Sequence, residues 1–237
     1  MNNGETTIPK PKHQIYWQGL HVPFIAPWSN ERVLRGTIVR RTGVGGTGIG
    51  YADELSRVDR RRGVLWVRQS ITRGSGTPAL GDVHPLRQRQ AMHHMLCQVC
   101  GESTYNADFA RWGERHLFLA RALRGRPFSE GEQTSAPPVC LPCAHESINT
   151  CPHLRKGYTA ALVEYAQPWG VAGVDFDERT LRMMPMPPKQ HLKVQIDHPR
   201  ERWTLAMREI QTLHGVTPVE LIDLGGALSQ SSRTELP

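Results

Sequence analysis

The chain has 237 residues, of which 38% are hydrophobic and 22% are charged, and its formal net charge is +7. This length is enough for one large domain or two small ones with a substantial core, and the composition differs from that of a disordered chain. No apolar run approaches the roughly 18 residues of a membrane-spanning helix, so we expect no membrane partner. Five cysteines in a chain without an apolar leader favour the cytoplasm.

Residues 1–12 are expected to form a disordered tail. Residues 13–96 are expected to form an arginine-rich region that contains β-strands and carries most of the positive charge. Residues 32–90 include 12 arginines, no lysine and four acidic residues. Arginine forks match phosphate groups and guanine edges, so this region predicts a surface that binds DNA or RNA. The alternative is a solvated arginine-rich surface without a ligand.

Aromatic residues lie among prolines near the start of this region, at Tyr16, Trp17, Phe24 and Trp28. They predict an irregular arm that packs on a core through its rings. Stacking on the bases of a single strand is the other use of such residues.

A glycine-rich run over residues 43–50 follows a predicted strand, residues 32–40, and its first six residues fit G-x-G-x-x-G. A dinucleotide site needs a helix of about a dozen residues after the glycines and an acidic residue after a second strand. Here the candidate helix, residues 52–58, is short, and the next predicted strand ends in Arg68. We therefore interpret the glycines as a flexible loop.

Two further elements of the arginine-rich region present basic residues. Residues 59–63 predict a tight turn that carries three consecutive arginines, and residues 83–96 predict a helix that begins at Pro85 and leads into the first cysteine pair. The candidate residues for nucleic-acid binding are Arg40, Arg41, Arg60, Arg61, Arg62, Arg87 and Arg89.

Residues 97–155 form a predicted zinc-binding module, whose candidate ligands are Cys97, Cys100, Cys140 and Cys143. Two Cys-x-x-Cys pairs have the spacing of a tetrahedral zinc site. An odd number of cysteines and the lack of an export leader argue against a disulfide framework, and two pairs outside a βαβ unit argue against a thioredoxin-like site. Four thiolates leave no position open for water, so we expect the zinc to be structural.

The surroundings of the cysteines predict a treble-clef-like arrangement. Gly101 suits the turn that closes a zinc knuckle, residues 116–120 predict a strand, and residues 144–149 continue a helix that starts at the second pair. Three roles are open for Cys151: replacing one ligand, joining His153 and a neighbouring histidine in a second metal site, or packing as a small buried side chain.

The C-terminal region, residues 156–228, predicts an antiparallel β-meander followed by a pair of helices. The meander is expected over 158–166, 170–176, 181–186 and 191–197, and the helices over 199–213 and 217–224. The second helix lacks a basic cluster, so we interpret the pair as packing elements rather than a DNA-reading helix-turn-helix. Residues 229–237 are expected to form a loose tail.

Four runs of residues are distinctive: VHPLRQRQAM at 83–92, LCQVC at 96–100, PPVCLPC at 137–143 and CPHLR at 151–155. On these runs the chain resembles an uncharacterised family of small zinc-binding proteins from streptomycetes and related actinobacteria, over residues 50–173. The resemblance implies a soluble bacterial protein that binds zinc, and it implies no particular activity.

These patterns predict an α+β fold, with antiparallel strands around a central treble-clef-like zinc module and a C-terminal helix pair. The predicted function is that of a cytoplasmic zinc-binding accessory or regulatory protein that contacts DNA or RNA. The alternative is an enzyme or a module with a protein partner, with structural zinc and a pocket lined by aromatic and histidine residues. No nucleophile or acid–base pair stands at a specific spacing, and the histidines do not fit an HNH nuclease, so binding is favoured over catalysis.

Overall fold

The structure is a computed structural model that describes residues 14–43, 45–122, 125–187 and 190–225. It has the predicted α+β class, with strand pairs that are antiparallel except for one parallel pair. The two predicted tails, 1–12 and 229–237, lie outside the described residues. Within the described ranges, no helix is both long and apolar enough to cross a membrane.

The regular elements of the described residues alternate short strands and short helices, with two long strands near the end. The strands are β1 (Tyr16–Trp17), β2 (Leu20–His21), β3 (Ile38–Gly43), β4 (Gly46–Tyr51), β5 (Arg60–Arg61), β6 (Val64–Trp66), β7 (His116–Arg121), β8 (Gln133–Thr134), β9 (Tyr158–Asp175), β10 (Leu192–Gln195) and β11 (Thr204–Pro218). The α-helices are α1 (Ser56–Asp59), α2 (Pro85–His94), α3 (Ala107–Arg111), α4 (Leu141–Thr150) and α5 (Leu221–Gly225), and 3-10 helices cover Leu154–Lys156 and Pro199–Trp203.

A seven-stranded sheet forms around the long antiparallel pair of β9 and β11. One edge of β9 pairs with β7 near its start and with β10 near its end. The other edge of β11 pairs in parallel with β6 near its start and antiparallel with β8 further along, and β5 extends the sheet beyond β6. Separate two-stranded hairpins are formed by β1 with β2 and by β3 with β4.

Helix α2 fills a gap in this sheet through one side chain. Between β6 and β8, the backbone of Glu209 on β11 meets the fully buried Gln88 of α2. The Gln88 Oε1 accepts from the Glu209 N–H at 2.9 Å, and its Nε2 donates to the Glu209 carbonyl at 2.9 Å. A side-chain amide thus takes the place of a neighbouring strand and joins the arginine-rich region to the C-terminal sheet.

Several local predictions are confirmed. Helix α2 begins at Pro85, strand β7 covers the predicted 116–120, and α4 runs through the predicted 144–149. The turn at 59–63 is a two-residue hairpin connection, in which Arg62 and Gly63 both have positive φ, at 50° and 82°. This conformation matches the twist of the flanking strands β5 and β6.

The predicted C-terminal helix pair is wrong. Residues 204–218 form strand β11, the helical part before it is limited to Pro199–Trp203, and only the one-turn α5 remains of the second helix. The helix-like spacing of apolar residues has another cause. The pairing of β11 with β9 shifts register between Ala206 and Arg208 and again between Ile210 and Gln211. The first shift leaves Met207 as an extra residue on β11 and interrupts the alternation of faces there, whereas at the second shift the extra residue, Trp169, is on β9. The apolar residues of β11 therefore do not alternate simply, and their spacing is close to that of a helix.

The predicted four-stranded meander is also incorrect in part. Residues 158–175 form one continuous strand, β9, that passes through Gln167 and Pro168 without a turn. Residues 181–186 contribute only an isolated bridge between Phe176 and Met183, whereas β10 falls within the predicted 191–197. Pro168 is accommodated close to the Ile210–Gln211 irregularity of β11, where the ladder is interrupted.

The glycine-rich run is a strand rather than a loop over most of its length. Residues 46–51 form β4, in which glycines alternate with Thr47, Ile49 and Tyr51. Alternate residues of a strand face opposite sides, so Ile49 and Tyr51 enter the core while the glycines form a side-chain-free face. Val44, within the run, lies outside the described residues.

Candidate metal centre and basic cavity

The first cysteine pair lies on a compact turn after α2. The helix ends at Met95, which has a left-handed φ of 50°, and the chain then turns through Cys97 and Cys100. Gly101 has the predicted left-handed conformation, with φ of 78°, and its N–H donates to the Cys97 carbonyl at 2.9 Å. The Val99 N–H points to the Cys97 Sγ at 3.4 Å, as in turns that hold a thiolate.

The second pair lies at the start of α4, as the sequence predicts. Cys140 is the N-cap residue and Cys143 lies in the first turn, where the positive end of the helix dipole favours thiolate. Two backbone hydrogen bonds hold the segment before α4 in place. Gln98 N–H donates to the Pro138 carbonyl at 2.9 Å, and Val139 N–H donates to the Leu117 carbonyl on β7 at 2.8 Å.

The two pairs meet in one cluster. The sulfur atoms of Cys97, Cys100, Cys140 and Cys143 all lie within 4.8 Å of one another, a group that could hold a metal ion. Three of these residues are buried, and Cys140 is half-buried. Their apolar neighbours are on β7, β9 and α5, so the cluster is part of the hydrophobic core.

Ionisation of the four thiols is strongly coupled. Burial raises the pKa of the Cys97 thiol, but hydrogen bonds with Cys100, Cys140 and Cys143 outweigh burial and leave that pKa well below its usual value. Hydrogen bonding with Cys100 is the main cause that raises the pKa of Cys140 and of Cys143. Four thiolates this close repel one another, so all four can ionise together only beside a cation.

A histidine and a glutamate that the sequence analysis missed lie beside this cluster. His21 on β2, Cys143 and Glu146 on α4 place their potential ligand atoms within 4.8 Å of one another. The His21 Nδ1 lies 2.8 Å from the Glu146 Oε2, and the His21 ring stacks on Tyr16. No local motif marks His21, because it comes from the N-terminal arm, far from the cysteines in sequence.

Cys151 and His153 lie away from the cluster. Cys151 is the C-cap residue of the ten-residue α4, which begins beside Cys140. A helix of this length spans about 15 Å. Neither Cys151 nor His153 belongs to the groups of potential metal ligands found among the described residues.

The three consecutive arginines have different neighbours, because Arg60 and Arg61 lie on strand β5 and Arg62 lies in the turn after it. Arg60 forms a bidentate salt bridge with Glu54, at 2.7 and 2.9 Å, and also donates to the Ile49 carbonyl. Arg61 contacts the His93 Nδ1 at 2.7 Å, and Arg62 is exposed at the turn. Of the three, Arg62 is therefore the most exposed residue.

The prediction that Arg87 contacts a polyanion is wrong. Its side chain is only 4% exposed and pairs with the fully buried carboxylate of Glu31, at 2.5 Å. Arg89 is half-buried, with its guanidinium 4.5 Å from the centre of the Trp66 ring, and burial lowers its pKa. Arg40 and Arg41 on β3 are exposed, as a binding surface requires.

A cavity of about 670 Å³ brings part of the predicted basic set together. It lies between the β3–β4 hairpin, the β5–β6 turn and the 3-10 helix Pro199–Trp203, and is lined by Arg41, Arg60 and Arg62. The structure adds Arg202 and His198 to the lining. The sequence analysis missed both, because Arg202 falls within the predicted helix 199–213 and His198 lies directly before it.

The aromatic arm is used largely for packing. Trp28 is 3% exposed, and the ring of Trp17 packs edge-to-face on it with centroids 6.2 Å apart. Val22, Ala26 and Ile15 belong to the same small cluster. Backbone hydrogen bonds from Phe24 and neighbouring residues to the first cysteine turn then fix the arm on the metal centre.

No protein-family model, curated protein or solved structure matches the chain. The resemblance to the actinobacterial family therefore stays a prediction.

Proposed function

We propose that the protein is a zinc-stabilised accessory or regulatory protein that binds nucleic acid through exposed arginines. The observation that carries the binding proposal is the convergence of two exposed arginines from separate parts of the chain, Arg41 on β3 and Arg62 on the β5–β6 turn, at one cavity. We extend the proposal to the cytoplasm, because a reducing compartment keeps thiolates available to a metal.

The geometry of the cysteines supports zinc as the metal. Four zinc–sulfur bonds of about 2.3 Å in a tetrahedron place neighbouring sulfurs about 3.8 Å apart. The Cys100 and Cys140 sulfurs are 3.8 Å apart, and the other pairs fall within 4.8 Å. Four-thiolate coordination leaves no open position, so the proposed role of zinc is to hold the first cysteine turn against α4.

We also propose a treble-clef-like arrangement for this module. The support is a cysteine turn followed by strand β7 and by a helix whose first turn carries the second pair. One departure is clear: β7 pairs with β9, which comes after the helix, whereas the Val139 N–H joins the segment before the helix to β7 by a hydrogen bond.

Metal analysis after gel filtration tests the zinc proposal. We expect about one equivalent of zinc per chain, and Cys100→Ser or Cys143→Ser should lower both the metal content and the melting temperature. Cys151→Ser is the matched control, because Cys151 lies at the far end of α4. Full metal content and unchanged melting in both ligand variants would contradict the proposal.

A salt titration of binding to labelled duplex and single-stranded probes tests the nucleic-acid proposal. Arg40→Ala/Arg41→Ala/Arg62→Ala should reduce the dependence of log K on log salt by about 0.9 for each duplex phosphate that the variant no longer neutralises. The matched control removes three exposed arginines elsewhere, at Arg121, Arg126 and Arg155. Absence of wild-type binding at about 50 mM salt, or equal slopes for both triple variants, would refute the proposal.

A further inference from the structure

Two glycines that line the cavity beside the arginines allow Arg202 to approach β4 closely. A Cβ at Gly48 of β4 would overlap the backbone carbonyl of Arg202, and a Cβ at Gly46 would overlap its guanidinium. The glycine face of β4 therefore lies directly against the 3-10 helix Pro199–Trp203. The resulting cleft of about 670 Å³ falls within the range of about 300–1,000 Å³ that is typical of small-molecule sites.

Three of the guanidiniums at this cleft are available to a ligand. Among the described residues, no ion pair joins Arg41, Arg62 or Arg202 to a carboxylate, and Arg41 has a single backbone contact, to Ala52 at 3.2 Å. Arg60 differs, because Glu54 and two backbone carbonyls already occupy its donors. Arg60 therefore fixes one wall of the cleft instead of binding a ligand.

The cleft also contains acidic residues, and their positions reduce their effect on an anion. The charge of Glu54 is compensated by its bidentate salt bridge with Arg60. Glu201 accepts the Asp197 N–H at 3.1 Å, and its burial raises its pKa. Asp197 is exposed to solvent, which screens its charge.

His198 adds a ring donor. Its Nδ1 accepts the Arg200 N–H at 3.1 Å, so Nε2 is the ring nitrogen that can donate. His198 lines the same cleft as the three guanidiniums. The site thus offers three guanidiniums and one imidazole N–H within a concave surface.

From this arrangement we propose that the cleft binds a phosphomonoester, the doubly charged phosphate at the end of a nucleic-acid strand or on a free nucleotide. Guanidinium forks match the oxygens of a tetrahedral phosphate, and a dianion benefits more from three converging charges than a singly charged phosphodiester. The volume leaves room for the organic part that carries the phosphate. The inference shares Arg41 and Arg62 with the proposed function, and its strand-end form rests on that function.

The test compares ligands that differ only in the terminal phosphate. The probes are a short single strand with a terminal phosphate, the same strand with a terminal hydroxyl, adenosine monophosphate, adenosine and inorganic phosphate. We expect each organic phosphate to bind about tenfold or more tightly than its unphosphorylated counterpart, and more tightly than inorganic phosphate. Calorimetry at fixed salt measures these affinities on the zinc-loaded chain.

Two variants locate the effect. Arg202→Ala and Arg62→Ala should each remove most of the advantage of the phosphorylated probes, while Arg57→Ala should not, because Arg57 is exposed on α1 away from the cleft lining. Unchanged zinc content and melting temperature show that the variants are folded. Because Arg202 was not assigned to the nucleic-acid surface, its effect separates the cleft from a general basic surface.

The outcomes distinguish this inference from the proposed function. Equal affinity for phosphorylated and hydroxyl-ended strands, with no binding of adenosine monophosphate, would overturn the inference and leave nucleic-acid binding standing. Binding of adenosine monophosphate that depends on Arg202, without binding of any strand, would support the inference and refute the proposed function. If both Arg202→Ala and Arg62→Ala keep the higher affinity for the phosphorylated probes, the phosphate does not bind in the cleft and the inference is wrong.

Discussion

We predict that replacing either residue of the buried ion pair Glu31–Arg87 lowers the stability of the fold substantially. Arg87 donates from its two terminal nitrogens to the two Glu31 oxygens, at 2.5 and 2.7 Å, and also to the Ala26 carbonyl at 2.7 Å. Glu31 accepts two further hydrogen bonds, from the N–H groups of Trp28 and Thr72. Removal of either partner leaves a charge buried in the core, where water cannot compensate for the loss.

The expected magnitudes follow from this burial. Breaking a buried ion pair by removing one partner costs about 3–5 kcal/mol, which is a large part of a typical stability of about 5–15 kcal/mol. Arg87→Met should fall at the lower end of that range, because the Glu31 carboxylate keeps two backbone donors. Glu31→Gln should fall at the upper end, because Arg87 keeps the Ala26 carbonyl and only one neutral oxygen. The double variant buries no charge and should be more stable than either single variant.

Urea denaturation of wild type, both single variants and the double variant measures the coupling between the two residues. Burial raises the pKa of Glu31, but the hydrogen bonds from Arg87 and Trp28 outweigh it and lower the pKa overall. The pair therefore stabilises the protein above the usual glutamate range and loses that effect as pH falls below it. Losses under about 1 kcal/mol in both single variants, or a double variant that shows the sum of both losses, would refute the reasoning.

Two other sites give stability predictions. Burial lowers the pKa of His116 to about 4 from its usual 6.5, so the unfolded chain takes up a proton that the folded protein does not. Stability should fall by about 1.4 kcal/mol per pH unit as pH decreases between these values, and His116→Gln should flatten that part of the curve in chemical denaturation. Gln88→Leu leaves the Glu209 N–H and carbonyl unpaired and should cost about 3 kcal/mol, whereas Gln90→Leu on the exposed face of α2 should cost little.

A specific result would contradict each of the predictions for His116 and Gln88. A pH profile of stability that is the same for wild type and His116→Gln would show that His116 titrates normally in the folded protein. Equal effects of Gln88→Leu and Gln90→Leu would show that the Gln88 amide does not substitute for a strand at the gap in the sheet.

The sequence determined the features whose causes are local. The Cys-x-x-Cys spacing, Gly101 and the proline at the start of α2 act within a few residues, and the structure has the turn, the left-handed glycine and the helix that they predict. The turn at Arg62 and Gly63 belongs to the same class, because a two-residue hairpin connection is specified by its own backbone conformation.

The basic surface depended on tertiary structure. Arg60, Arg61 and Arg62 are consecutive in the chain, but the alternation of a strand and its turn directs them to different neighbours. The partner of Arg87 is 56 residues away in sequence, so its ion pair could not be read from the residues near it. Arg202 joins the cleft only because the glycine face of β4 packs against it.

The C-terminal strand shows most directly what local pattern cannot decide. A helix satisfies its backbone groups within its own sequence, whereas β11 needs the partner β9, which lies about 40 residues earlier. The extra residue Met207 interrupts the alternation of faces along β11, so its apolar spacing is close to that of a helix. Sequence alone therefore identified the candidate metal ligands and the local turns, while the pairing of distant strands decided the sheet, the buried ion pair and the cleft.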